Sequence, residues 1–212
     1  MTLPGAGPRK PAIARATGGP YAAGVDEREE QQEPIPVGVR LDPSPDNLTE
    51  WLIDGQAFEA AGAEALWIPA TESHDPLVLG AALAVLTRRA LLIAGGPEGP
   101  ALRTLTALCR GRLRVIVEPG QRARTGSGER DGAERPDAIR CEADTLSEVG
   151  EPGRSWLTVP APENRAAWRA TMADAVERGH TRLMVPANPR LLDLLRNPED
   201  PGERLDLHLA QG

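Results

Sequence analysis

His74 stands one residue before an aspartate able to cap a helix, in the run Thr71-Glu72-Ser73-His74-Asp75. An imidazole titrates near neutral pH, so in a loop facing a ligand it can donate a proton or hold a substrate by a hydrogen bond. Gly95-Gly96 lets the backbone approach a ligand closely, and a helix opening near Pro100 would offer amide donors to an anion. Asp42, Glu72 and Glu118, with Gly120, Pro160 and Asn188, each follow a short aliphatic run. In a parallel α/β fold such positions lie at the C-terminal edge of the strands, where helix N-termini and strand-to-helix loops converge. His74 is therefore the candidate catalytic residue, and Glu72, Gly95, Gly96, Gly120 and Asn188 are the candidate ligand contacts. The three carboxylates either gather at that rim or are ordinary solvated loop charges. The chain carries no Ser-His-Asp order, phosphate-binding loop, dinucleotide glycine fingerprint or zinc-ligand cluster, so no metal is expected.

The elements that would position these residues read as alternating strands and helices. Ile35 to Leu41 is a strand, and Asn47 to Ala61 is a helix with Leu48, Trp51, Leu52 and Phe58 near helical spacing, Asp46 or Asn47 to cap it and Gly62 to stop it. Ala65 to Ile68 is a strand. Asp75 then caps a helix with Pro76 in its first turn and Leu77 to Leu86 as its body. Ala90 to Ala94 is a strand, Pro100 to Cys109 a helix and Leu113 to Val117 a strand. Ala138 to Cys141 offers one more strand, and the chain then continues as strand Trp156 to Val159, helix Arg165 to Glu177, strand Arg182 to Val185 and helix Pro189 to Leu195. Strict alternation predicts parallel pairing, because a parallel neighbour is reached only by a long crossover.

Sliding the chain on itself by 117 residues aligns 34–70 with 151–187 without a gap and gives eight identities in 37 positions, against roughly three expected from composition. Pro43, Pro45, Asn47, Trp51, Gly62, Leu66, Pro69 and Ala70 fall on Pro160, Pro162, Asn164, Trp168, Gly179, Leu183, Pro186 and Ala187. Each copy is a strand ending at Pro-x-Pro, a helix begun by an acidic residue and Asn, a Trp that anchors the helix in the core, a Gly stop and a second strand. Two βαβ units with further strands between them suit a (β/α) barrel or an open doubly wound sheet. The six clear strands, with a possible seventh, fall short of eight. The expected fold is thus α/β, a parallel (β/α) barrel of TIM type, incomplete or irregular.

The chain has 212 residues, of which 40% are apolar and 3% aromatic, so a single aliphatic core is affordable. Residues 1–33 lack apolar periodicity and end in an acidic run, Asp26 to Glu33, which predicts a disordered tail. Residues 34–198 form the expected single (β/α) domain, with 121–136 as a flexible loop, either a lid or the scar of a missing segment, and 199–212 as a C-terminal segment. A net charge of −7 argues against nucleic acid as a partner. No apolar run approaches the ~18 residues of a membrane span, and no secretory leader is visible. Cys109 and Cys141 have no companion at ligand spacing, which predicts unpaired thiols and a cytoplasmic protein.

The run Ala60-Ala61-Gly62-Ala63-Glu64-Ala65-Leu66-Trp67-Ile68-Pro69, followed by Asp75-Pro76-Leu77-Val78-Leu79-Gly80-Ala81-Ala82-Leu83-Ala84-Val85-Leu86-Thr87 and Arg88 or Arg89, resembles the bacterial luciferase-like superfamily. Thr104 to Val115 is similar to that family's next helix, turn and fourth strand, so the likeness covers about residues 35–120. The resemblance implies a (β/α) barrel and a flavin- or deazaflavin-dependent oxidoreductase or monooxygenase, with FMN or F420 as cofactor and a small organic molecule as substrate. It implies that His74 faces cofactor or substrate, and that Glu72, Gly95, Gly96, Gly120 and Asn188 are cofactor contacts. Two departures stand out: the segment after the fourth strand has shrunk to Gln121–Val149, and the family's Gly-x-Gly reads Glu118-Pro119-Gly120. The chain would then be a compact or degenerate member, and the alternative is a non-catalytic relative that kept the scaffold, lost the cofactor site and acts as a binding or partner subunit; a homodimer or pairing with a partner subunit is the expected assembly.

Overall fold

The structure is a computed structural model that describes residues 35–43, 46–117, 137–142, 145–149 and 154–198. The proposed tail at 1–33, the loop at 121–136 and the segment at 199–212 lie outside the described residues. Among these residues the order is β1 (Val37–Arg40), α1 (Leu48–Ala60), β2 (Ala65–Ile68), α2 (Pro76–Leu86), β3 (Leu91–Gly95), α3 (Pro100–Cys109) and β4 (Leu113–Val117). It continues as β5 (Asp137–Glu142), β6 (Thr145–Glu148), β7 (Ser155–Thr158), α4 (Arg165–Glu177), β8 (Arg182–Pro186) and α5 (Pro189–Arg196).

The eight strands close into one barrel in sequence order, β8 pairing with β1. Pairing is parallel from β7 through β8 and β1 to β5, but β5–β6 and β6–β7 are antiparallel. This corrects two expectations: pairing is mixed, and the barrel closes on eight strands. Only residues 143–144 separate β5 from β6, and a parallel return needs a crossover of a dozen or more residues, so this link can make only a hairpin. The overlooked strand, β6, reads Thr145-Leu146-Ser147-Glu148, with one aliphatic residue in four. Its Leu146 and Glu148 are buried while Thr145 and Ser147 are not, the two-residue alternation of a half-buried strand.

The helix signals act as anticipated. Asn47 caps α1 by accepting from the Glu50 amide, and Asp75 caps α2 by accepting from Leu77 N at 2.8 Å with Pro76 behind it. The internal repeat is physical. Helices α1 and α4 are both 13 residues long, lie 117 residues apart, and are capped by Asn47 and Asn164 in the same way. Their ends match bond for bond: Ala61→Ala57, Gly62→Glu59 and Ala63→Phe58 recur as Arg178→Asp174, Gly179→Val176 and His180→Ala175. Gly62 and Gly179 hold φ of +98° and +77°, a left-handed turn that favours glycine. Trp51 is buried and donates from Nε1 to Leu41 O at 3.3 Å, whereas Trp168 is half-buried against the same core.

Two apolar layers result. Outward strand residues such as Val39, Leu66, Leu92 and Val185 pack under the helices, and Ala65, Ile93, Ile139, Leu146, Trp156 and Met184 fill the barrel. A Cβ built on Gly38 would sit 2.6 Å from Met184 Cε and 2.8 Å from the Trp156 ring, so this strand position has room only for hydrogen. At the strands' N-terminal ends Glu148 is buried among Arg182 (3.3 Å), Arg114 (3.9 Å) and Arg154 (3.9 Å), and Arg182 also reaches Glu64 at 3.3 Å. These cations keep a buried carboxylate from being left uncompensated.

Candidate functional site

The C-terminal ends of the parallel strands gather the polar groups that the fold leaves available. Arg40 ends β1, and register sets it beside Trp67 of β2 and Pro186 of β8. Its Cζ lies 5.2 Å from the Trp67 ring centroid, a cation–π arrangement, and its Nε donates to Asp42 at 3.0 Å. Trp67 packs on the barrel-filling cluster together with Ile116 and Cys141, and its buried Nε1 has no hydrogen-bond partner among the described residues. A buried indole N–H ordinarily finds an acceptor, so this donor is the group here most ready to receive one from a ligand. Arg40, Trp67 and Cys141 belong to strands and carry none of the loop, cap or motif signals that mark a site in sequence. The available signal was two-residue alternation: Gly38-Arg40 and Ala65-Trp67 share the face opposite Val39, Leu66 and Ile68.

Of the residues singled out from sequence, His74 is half-buried in the β2–α2 loop. Its Nδ1 is 2.9 Å from Ser73 Oγ, and its amide donates to Thr71 Oγ1 at 3.2 Å. Nδ1 is engaged by Ser73, so Nε2 is the nitrogen left for a ligand. Glu72 is exposed in the same loop. Gly95 ends β3 half-buried, and among the described residues Ile116 Cβ is the atom near its vacant side-chain position, at 3.7 Å. Gly96 is explained by packing: a Cβ there would meet the Leu77 side chain at 2.7 Å. Asn188 caps α5, its Oδ1 accepting from Leu191 N at 2.6 Å. Asp42 is engaged by Arg40, and Gly120 and Glu118 lie outside the described residues. Arg40, Asp42, Trp67, the 71–75 loop and Gly95 thus share one end of the barrel, while Gly96 and Asn188 serve the fold there.

The opposite end is built for stability. Glu59, on the last turn of α1, accepts from the amides of Arg88, Arg89 and Ala90 at 2.7 to 2.8 Å. Burial alone would raise its pKa, but the three amides and the Arg112 charge outweigh it and hold the carboxyl below its ordinary value. Arg112 donates to the carbonyls of Cys109, Ala90, Ala84 and Thr87 and to Thr87 Oγ1, tying α2, α3 and the starts of β3 and β4 together. Burial pushes the Cys109 thiol up to about 11, the Arg112 charge opposing only in part, so this sulfur stays protonated and inert. Both cysteines are free.

Among the described residues no three His, Cys, Asp or Glu gather as a metal site, and no helix is long and apolar enough to cross a membrane. No protein-family model matches the chain, and no characterised protein matches it in sequence.

Proposed function

We propose that the chain is a luciferase-like, flavin- or deazaflavin-dependent oxidoreductase that binds FMN or F420 across the C-terminal end of the barrel and acts on a small organic substrate. The observation that carries this reading is the buried Trp67 N–H, without a partner among the described residues, beside the Arg40 guanidinium. A flat heteroaromatic with carbonyl acceptors and an anionic arm matches that donor pair: Trp67 supplies one hydrogen bond and Arg40 the positive charge. The β2–α2–β3–α3–β4 stretch that resembles the family is continuous in the barrel and contributes both Trp67 and His74, which supports the same reading. When bound, the cofactor would supply hydride transfer or oxygen activation. His74 would present Nε2 to the ligand, its ring oriented by Ser73 at Nδ1, and Ile116 and Trp67 would keep water from the floor of the site.

The barrel is read as TIM type in which a β5–β6–β7 meander replaces helical crossovers. In support, the interior is a packed core of strand side chains, among them Ala65, Ile93, Ile139, Leu146, Trp156 and Met184, as in a barrel of that type. A second reading, a non-catalytic relative that acts as a partner subunit, is favoured by one observation: Gly96 and Asn188 are occupied by packing and helix capping.

Fluorescence titration of the purified full chain with FMN, and separately with F420, distinguishes the two. Oxidoreductase function predicts quenching of the cofactor and of Trp67, with affinity lowered at least about tenfold in Trp67→Phe, the loss of one buried hydrogen bond. Absence of quenching and of any rise in melting temperature with either cofactor in large excess rejects it and leaves the second reading.

A further inference from the structure

We infer that the segment Leu205-Asp206-Leu207-His208-Leu209 docks within its own chain as an apolar strap across the outer face of α1 and α2. Helix α2, Pro76 to Leu86, contains no polar side chain, and a helix that is apolar all round is normally covered on every side. Its inner positions Leu77, Leu79, Leu83 and Ala84 are buried, yet Val78 and Val85, seven residues apart on one stripe, are 62% and 70% exposed. The stripe continues onto α1. Gly55 packs against Leu83 and Gln56 donates to Leu86 O, which leaves Ile53, 58% exposed, on the outward side of that helix. Contiguous exposed apolar area of this kind marks a docking surface.

The chain supplies an occupant of matching pattern. Residues 199–212 follow α5 and lie outside the described residues, and in their sequence Leu205, Leu207 and Leu209 alternate with Asp206 and His208. That is the pattern of a strand with one apolar face, but the barrel closes by pairing β8 with β1 and offers no edge to a ninth strand. The three leucines must therefore be buried against side chains, and the outer face of α1 and α2 presents apolar ones. Reach agrees. Helix α5 packs beside α1, and α1 beside α2. Neighbouring helix axes are about 8–10 Å apart, while the seven residues from Pro198 to Leu205 span up to about 23 Å. Leu205 to Leu209, extended, covers about 13 Å, enough to bridge Ile53 and the stripe of Val78 and Val85.

Charge sets the path. At 100° per residue, Glu50 and Asp54 lie on the edge of α1 away from α2, which a chain arriving from α5 crosses first. Asp54 and Glu50, one turn apart, repel, and neither has a cation within ion-pair distance among the described residues. Arg204, immediately before the leucines, brings one to that edge.

Cross-linking within the full chain tests this, with Cys141→Ser leaving the buried Cys109 as the native thiol. Val85→Cys paired with Leu207→Cys is joined by a short bismaleimide inside one 22.6 kDa chain, at least about tenfold faster than Ala170→Cys paired with Leu207→Cys, because docking raises the effective concentration of one thiol at the other. Ala170 is exposed on α4, which Arg165 ties to α5 through Asp193, so the same segment can reach it without docking. Arg204→Glu slows the link at Val85 by up to about fivefold, the worth of one exposed ion pair, and adding Asp54→Arg restores it. In the otherwise unaltered chain, Leu207→Asp keeps the circular dichroism of the fold and raises the emission of an apolar-surface dye. Equal linking rates at Val85 and Ala170, links that join two chains instead of one, or dye emission indifferent to Leu207→Asp each overturn the inference. A double variant no faster than Arg204→Glu overturns the path over Glu50 and Asp54.

Discussion

Replacing Glu59 isolates how much one carboxylate contributes to closing the α2–β3 corner. Its oxygens receive the Arg88, Arg89 and Ala90 amides, of which only Ala90 is buried. In Glu59→Ala water can take over the first two amides, for a loss of about 0.5 kcal/mol each, while the buried Ala90 N–H is stranded at about 1–3 kcal/mol. The sum, about 2–4 kcal/mol, is a large share of a typical domain stability. Glu59→Gln keeps an acceptor and the shape and loses only the charge, for about 1 kcal/mol. The folded-state pKa lies below the ordinary 4.5, so the charge contribution is present above pH 4.5 and is lost as pH falls through the folded value. Urea unfolding followed by far-ultraviolet circular dichroism, at neutral pH and in acid, measures both effects. The gap between wild type and Glu59→Gln should close in acid. A gap of the same size at both pH values, or a Glu59→Ala loss under about 1 kcal/mol, refutes the argument.

Three further outcomes follow from the same geometry. Gly38→Ala destabilises by about 1–2 kcal/mol, since overpacking against Met184 and Trp156 outweighs the gain from a stiffer unfolded chain; made in a Met184→Ala background, which is itself less stable, the same substitution costs much less in urea melts. Asn188→Ala lowers stability by about 1 kcal/mol through loss of the α5 cap and leaves FMN and F420 titrations unchanged, which calorimetry and fluorescence check together. Cys109 resists thiol reagents in the native protein at pH 8 and reacts on unfolding, read by colorimetric thiol counting. Because its pKa is raised from 9.0 to about 11, its contribution to stability is full below pH 9.0 and disappears as pH climbs toward 11.

Local signals in this chain were strong and agreed with one another. Asn47, Asp75, Asn164 and Asn188 each precede an apolar periodic run, and each caps the helix it announces, because a cap needs only its own next three amides. The repeat was legible for the same reason: Asn, Trp and Gly recur at one spacing because each unit solves one local problem. The loop candidates were legible by position, and His74 does reach the strand C-terminal end.

What the amino-acid order alone determined was therefore the α/β class and the placement of seven strands and five helices, all set by contacts within a few residues. Only the tertiary structure decided that β6 turns back between β5 and β7 and closes the barrel, since pairing direction depends on which distant strand is free to accept hydrogen bonds. It also decided that Arg40 and Trp67, far apart in the chain and hidden within strands, meet at one end, and that Gly96 and Asn188 answer to Leu77 and Leu191. A side chain's neighbours across a closed sheet are fixed by register and closure, and no local pattern carries that information.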